Sequence, residues 1–175
     1  KASDVEVIGI TDYYSIDDYE KVLSYTSHDK DLAKITFFPN IEFRLDISVN
    51  SSHEQLQCHL IFDNNPDLIP EIKSLLSHLP LTNKKPSGED CYCTPEDIKV
   101  CGGYDKVSIT VADFKTQLKA TFGRRKPYII AGVANGMGSN RATANSNVKK
   151  ELADEFDKLC DIFFGKADNT TWYLK

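Results

Sequence analysis

The sequence predicts an α/β domain, and two observations carry that reading. Short runs of β-branched and aromatic residues alternate with segments whose apolar residues recur at helical spacing. The first run, Val5–Thr11, passes straight into a helix start at Ser15-Ile16-Asp17-Asp18. Alternation of this kind argues for a mainly parallel sheet or barrel, with strand C-terminal ends gathered on one face.

The elements follow in order. Strand Val5–Thr11 leads to a helix over about Ile16–Thr26, with Ser15 as N-cap and Asp18 in the first turn. Strand Thr36–Ile47 alternates after Glu42, placing Phe43, Leu45 and Ile47 on one side and Arg44 and Asp46 on the other. Val49–Glu54 reads as a polar turn, and strand Leu56–Asp63 ends at the breakers Asn64-Asn65-Pro66. Leu68, Ile69, Ile72, Leu75 and Leu76 define a helix over about Asp67–Leu79. Leu81–Asp90, with Asn83-Lys84-Lys85-Pro86-Ser87-Gly88, reads as a mobile loop. Thr94-Pro95-Glu96-Asp97 is an N-cap, an N1 proline and an acidic first turn, so a short helix runs to about Val100. A longer helix covers about Val111–Thr121 and stops at Gly123. Pro127–Val133 is a strand, Gly136–Ala144 a polar loop, and Asn147–Phe164 a long amphipathic helix buried through Val148, Leu152, Phe156, Leu159, Cys160 and Phe163.

At 175 residues and 19.7 kDa the chain fits one domain with enough apolar content for a core. A formal charge of −5 argues against a generally basic nucleic-acid surface. No apolar run approaches the roughly 20 residues that cross a bilayer, and no signal-peptide pattern opens the chain. It opens on Lys1 and enters a strand within a few residues, as a fragment of something longer would. The five cysteines form no regular framework, so a reduced, cytoplasmic protein is the expectation. The sequons at Asn50 and Asn169 are then chance matches. Cys91, Cys93 and Cys101 could ligate zinc only with a fourth donor that no nearby residue supplies.

Three successive strands carry Asp12, Glu42 and His59, residue types suited to hard metals or acid/base work. Asp12, at a strand end, either caps the next turn or serves a site. Glu42 lies between Ile41 and Phe43, where an unpaired carboxylate is costly to bury. A salt bridge to Arg44 or a solvent-facing edge position is the bland alternative. His59 sits in an apolar run and gains weight from its company, whereas His28, His53 and His78 lie in surface contexts. Arg44 falls on the same side of its strand as Glu42, so it could hold a phosphate or pair with the carboxylate. The glycine-rich segment 132–141 lacks the spacing of a phosphate-binding loop, although its backbone and Arg141 could meet an anion. Arg124-Arg125-Lys126 reads as a solvated basic run.

Gly9-Ile10-Thr11-Asp12-Tyr13, Phe38-Pro39-Asn40-Ile41-Glu42-Phe43-Arg44 and Cys58-His59-Leu60-Ile61-Phe62 resemble three motifs of the PHP (polymerase and histidinol phosphatase) family. The wording Ile-Glu-Phe-Arg and Cys91-Tyr92-Cys93-Thr94-Pro95-Glu96-Asp97 is most similar to the PHP modules of TrlF-like proteins, where the domain is attached to an ATPase. The resemblance covers residues 5–63 and extends more loosely to about 165. It implies a distorted (β/α)7 barrel, incomplete in this chain, that binds divalent transition ions and hydrolyses phosphoesters or nucleic acid. Glu42 would then be a carboxylate ligand bridging two ions and His59 a further ligand. Asp12 would support the site, and Arg44 would neutralise charge on the phosphoryl oxygens. Mixed histidine and carboxylate ligation suits zinc, manganese or iron. This chain departs from the pattern at Tyr13, where the family usually has a ligating histidine. It also lacks the opening His-x-His and closing Asp-x-His motifs. Two rival expectations remain open: a metal-free PHP-like regulatory or protein-binding module, and an unrelated α/β binding domain in which the three residues are structural.

Overall fold

The computed structural model describes residues 4–48, 55–133, 151 and 154–164. Strand β1 (Val7–Tyr13) leads to helix α1 (Asp17–Thr26), followed by strands β2 (Thr36–Ser48) and β3 (Gln55–Phe62). Helix α2 (Ile69–His78) precedes β4 (Pro80–Lys84), β5 (Asp90–Tyr92), α3 (Pro95–Val100) and α4 (Val111–Phe122). Strands β6 (Tyr128–Val133) and β7 (Ile162–Phe164) end the series.

Five strands form one sheet in the order β1-β2-β3-β6-β7. β1, β2, β6 and β7 run in the same direction and β3 runs against them. The expected parallel arrangement therefore fails at β3, and chain length explains it. Only residues 49–54 separate β2 from β3, whereas a parallel neighbour needs a crossover of about a dozen residues or more. The architecture is mixed α/β, and among the described residues the sheet does not close into a barrel, leaving β1 and β7 as its edges.

Side-chain alternation gives the sheet two unlike faces. Ile41, Phe43, Leu45, Leu56, Cys58, Leu60 and Phe62 point to the helix-covered side and are fully or almost fully buried. Phe114 and Phe122 of α4 meet that layer, their rings 5.6 Å from Phe43 and Phe62 respectively. The opposite face is uncovered among the described residues. It leaves Val7 60%, Ile129 40%, Ile162 39% and Phe164 41% exposed.

β1 stops where Tyr14 takes a left-handed backbone, with φ 54°. A tyrosine there is strained, and tertiary contacts hold it. The turn drops the Tyr14 ring into the core, 5.4 Å from Phe43 in an edge-on contact. Its hydroxyl donates to the Val107 carbonyl at 2.9 Å and accepts from the Arg44 amide at 3.0 Å. Arg44 lies past the end of β1, so this hydroxyl stands in for the missing strand neighbour. Ile109 then resumes the ladder beside Leu45, exchanging backbone bonds with Arg44 and Asp46. Ser15 and Asp12 share the start of α1: Ser15 Oγ accepts from the Asp17 amide and Asp12 Oδ2 from the Asp18 amide.

Two sequence expectations need correction. Residues 81–90 are not a structureless loop, because Pro80–Lys84 and Asp90–Tyr92 pair as a small antiparallel sheet closed around Gly88 at φ 89°. Leu79 and Leu81 anchor it in the core, and Ser108 accepts from the Thr82 amide. Asn147–Phe164 is not one helix to its end. Residues 154–157 are helical, but Ile162–Phe164 forms β7 beside β6. Gly132 makes that docking possible, since a side-chain carbon there would stand 2.7 Å from the Phe163 ring. Asp161 completes the seam by accepting from the Ile130 amide at 2.9 Å.

Cys91 and Cys101 are joined in a disulfide, because α3 returns the chain so that its C-cap residue meets β5. Two of the three clustered cysteines are therefore paired, where the sequence reading has them reduced. Cys58, Cys93 and Cys160 are in no disulfide among the described residues, and the first two are buried. The basic run is tied to the surface by ion pairs, Arg125 to Glu71 at 2.6 Å and Lys126 to Asp161 at 2.5 Å. The polar turn 49–54, both sequons, the loop with Arg141 and the first part of the expected last helix lie outside the described residues.

Candidate functional site

The antiparallel register of β2 and β3 sets Glu42 directly opposite His59, and the parallel register of β1 and β2 sets Tyr13 beside Glu42. All three belong to the uncovered face. Directly opposed residues have Cβ atoms about 4.5–5.5 Å apart, so the carboxylate and the imidazole share one patch. The reversal of β3 does not separate them, because pairing rather than strand direction brings them together.

Glu42 is 8% exposed and nevertheless sits on the open face. The Tyr13 side chain is its register neighbour, and burial together with that carboxylate pushes the phenol's pKa up, which keeps it neutral. Among the described residues no ion pair joins Glu42 to Arg44, so the bland alternative of a salt bridge fails. The Arg44 guanidinium instead lies 5.8 Å from the centre of the Tyr13 ring, and its Nη1 donates to the Tyr104 carbonyl at 3.1 Å. Its Nε is buried without a partner among the described residues.

His59 is half-buried, with Nδ1 3.2 Å from Asn40 Oδ1 and its ring edge-on to Phe164 at 5.3 Å. Asn40 in turn donates through Nδ2 to Thr11 Oγ1 at 2.7 Å. Burial lowers the pKa of His59 and the Glu42 carboxylate opposes that shift without cancelling it. The folded protein therefore prefers the neutral ring. Between the lowered value and the ordinary 6.5 the unfolded chain binds more protons, so stability falls as pH drops through that window. In urea titrations between about pH 5 and 8, His59→Gln is expected to flatten part of this dependence. An identical pH profile in the variant would show that His59 is not the group responsible.

Asp12 does not join the patch. It alternates onto the helix side of β1, opposite Ile41, and its carboxylate caps α1. Burial raises its pKa against the Asp18 amide bond that lowers it. The structure thus brings Glu42, His59 and Arg44 together and places Asp12 beneath them. Sequence reasoning missed Asn40 and Thr11. A polar residue two places before Glu42 in an apolar strand was the available signal, since period two puts it on the same face.

A carboxylate, a neutral imidazole, a phenol and a guanidinium on one face can ligate a cation, move a proton and hold an anion. Among the described residues no group of three or more His, Cys, Asp or Glu side chains is placed to hold a metal ion. No helix of the described residues is long and apolar enough to cross a membrane. The chain matches no family model, no curated protein and no solved structure.

Proposed function

We propose that this domain is a metal-dependent phosphoesterase or nuclease of the PHP type, working within a larger ATPase-linked protein. The observation that carries this reading is the pairing of Glu42 with His59 on a sheet face uncovered among the described residues, none of which partners the imidazole Nε2. Those two donors fit a divalent transition ion, and the remaining ligands must come from outside the described residues. Zinc, manganese or iron bound there supplies an activated water near neutral pH and positive charge beside the phosphoryl oxygens. Within this chain Glu42 and His59 would hold the ion. Tyr13 orients the carboxylate, and Arg44 offers a guanidinium to the phosphate ester. The exposed apolar side chains around the patch suit one wall of a distorted (β/α)7 barrel rather than a solvent-facing sheet.

The test is hydrolysis of phosphodiester and phosphomonoester reporters by the full-length protein after chelation and reloading. Turnover is expected to vanish with chelator and return with manganese, zinc or iron. No turnover with any of the three would end the proposal. A second reading, a metal-free regulatory or protein-binding module beside the ATPase, is favoured by Tyr13, a phenol and not an imidazole at the register position beside Glu42. Less than about one equivalent of transition metal after purification without chelator would support it.

A further inference from the structure

We propose that Asn40 is a positioning residue for His59: anchored on Thr11, its amide holds the imidazole as the Nδ1–H tautomer and leaves the Nε2 lone pair for the open face. The hydrogen-bond order carries the argument. Asn40 is 7% exposed, so its amide must satisfy both ends internally. Nδ2 faces Thr11 Oγ1 at 2.7 Å and Oδ1 faces His59 Nδ1 at 3.2 Å. An amide oxygen can only accept, which puts the ring proton on Nδ1.

The anchor is rigid. Thr11 and Asn40 are register partners across β1 and β2, while His59 is Asn40's diagonal neighbour on β3. Three consecutive strands therefore contribute one hydroxyl, one amide and one imidazole in a row. Phe164, edge-on to the ring at 5.3 Å, limits its rotation from the β7 side. A reversed amide would aim a donor at Nδ1 and move the ring proton to Nε2, so tautomer and amide orientation are one question.

The proposal rests on the phosphoesterase reading only for the use made of that lone pair. It is tested on the metal-free full chain by nitrogen-15 NMR of the histidine rings at mildly alkaline pH, with His59→Gln identifying the resonances. In the wild type, Nδ1 is expected at a protonated shift and Nε2 at an unprotonated one. Asn40→Asp, which keeps an acceptor, is expected to retain that pattern, and Asn40→Leu to lose it as the proton moves to Nε2. A wild-type ring protonated on Nε2 would overturn the assignment, as would an unchanged tautomer in Asn40→Leu. The wild-type spectrum decides even where a variant fails to fold. Absent metal-dependent turnover alongside an Nδ1–H ring would strike the phosphoesterase reading and leave this assignment standing.

Discussion

Glu42→Gln is expected to abolish phosphoester turnover, by about 100-fold or more, while the domain stays folded. The substitution preserves shape at a position that is only 8% exposed. A glutamine keeps the volume beside Tyr13, so the local packing survives. The negative charge is lost, and with it the hard anionic donor that a divalent ion requires. Steady-state rates with manganese and a urea unfolding curve read the two effects separately. Full activity in the variant would remove Glu42 from the mechanism, and a collapsed urea midpoint would show that its role is structural.

Phe43→Ala is expected to cost about 3–5 kcal/mol of stability. Phe43 is fully buried, with Tyr14 at 5.4 Å and Phe114 at 5.6 Å. It thus sits where the end of β1, the middle of β2 and the first turns of α4 meet. Truncation leaves a void between elements that cannot all move inward, which is the expensive case for a core deletion. Domains of this size have about 5–15 kcal/mol in total, so the variant would be marginal at room temperature. The check is the urea midpoint at constant m-value. A loss below about 1 kcal/mol would mean that the layer repacks freely around the gap.

Much of the fold is legible in the sequence because single residues punctuate it. Thr94 and Pro95 start α3, and Gly123 stops α4 with a positive φ of 62°. The period-two pattern after Glu42 also announces its face. The direction of β3 is less visible, since alternation describes a strand's faces and not its neighbour's sense. β7 is hidden for another reason: Phe156, Leu159, Cys160 and Phe163 keep a helical spacing that continues past the point where Gly132 offers the sheet edge. The β4–β5 hairpin escapes because Pro86-Ser87-Gly88 dominates the composition of a segment whose ends are anchored by Leu79 and Leu81.

At the site, residue type identifies Glu42, His59 and Arg44, but register decides which partners they meet. Asp12 shows the limit. A strand-end aspartate looks the same whether it faces a ligand or a helix terminus, and one step of alternation separates the two. Asn40 carries no chemistry of its own and becomes informative only once its two hydrogen-bond partners are known.

The bend at Tyr14 sets where this chain tolerates editing. Adding or deleting one residue in β1 would exchange inner and outer side chains along the strand. Tyr13 would turn toward the hydrocarbon layer, and Tyr14 would lose its grip on both Val107 and Arg44. Length changes belong instead at the hairpin tip, where a side-chain carbon added at Gly88 would meet nothing within 4 Å.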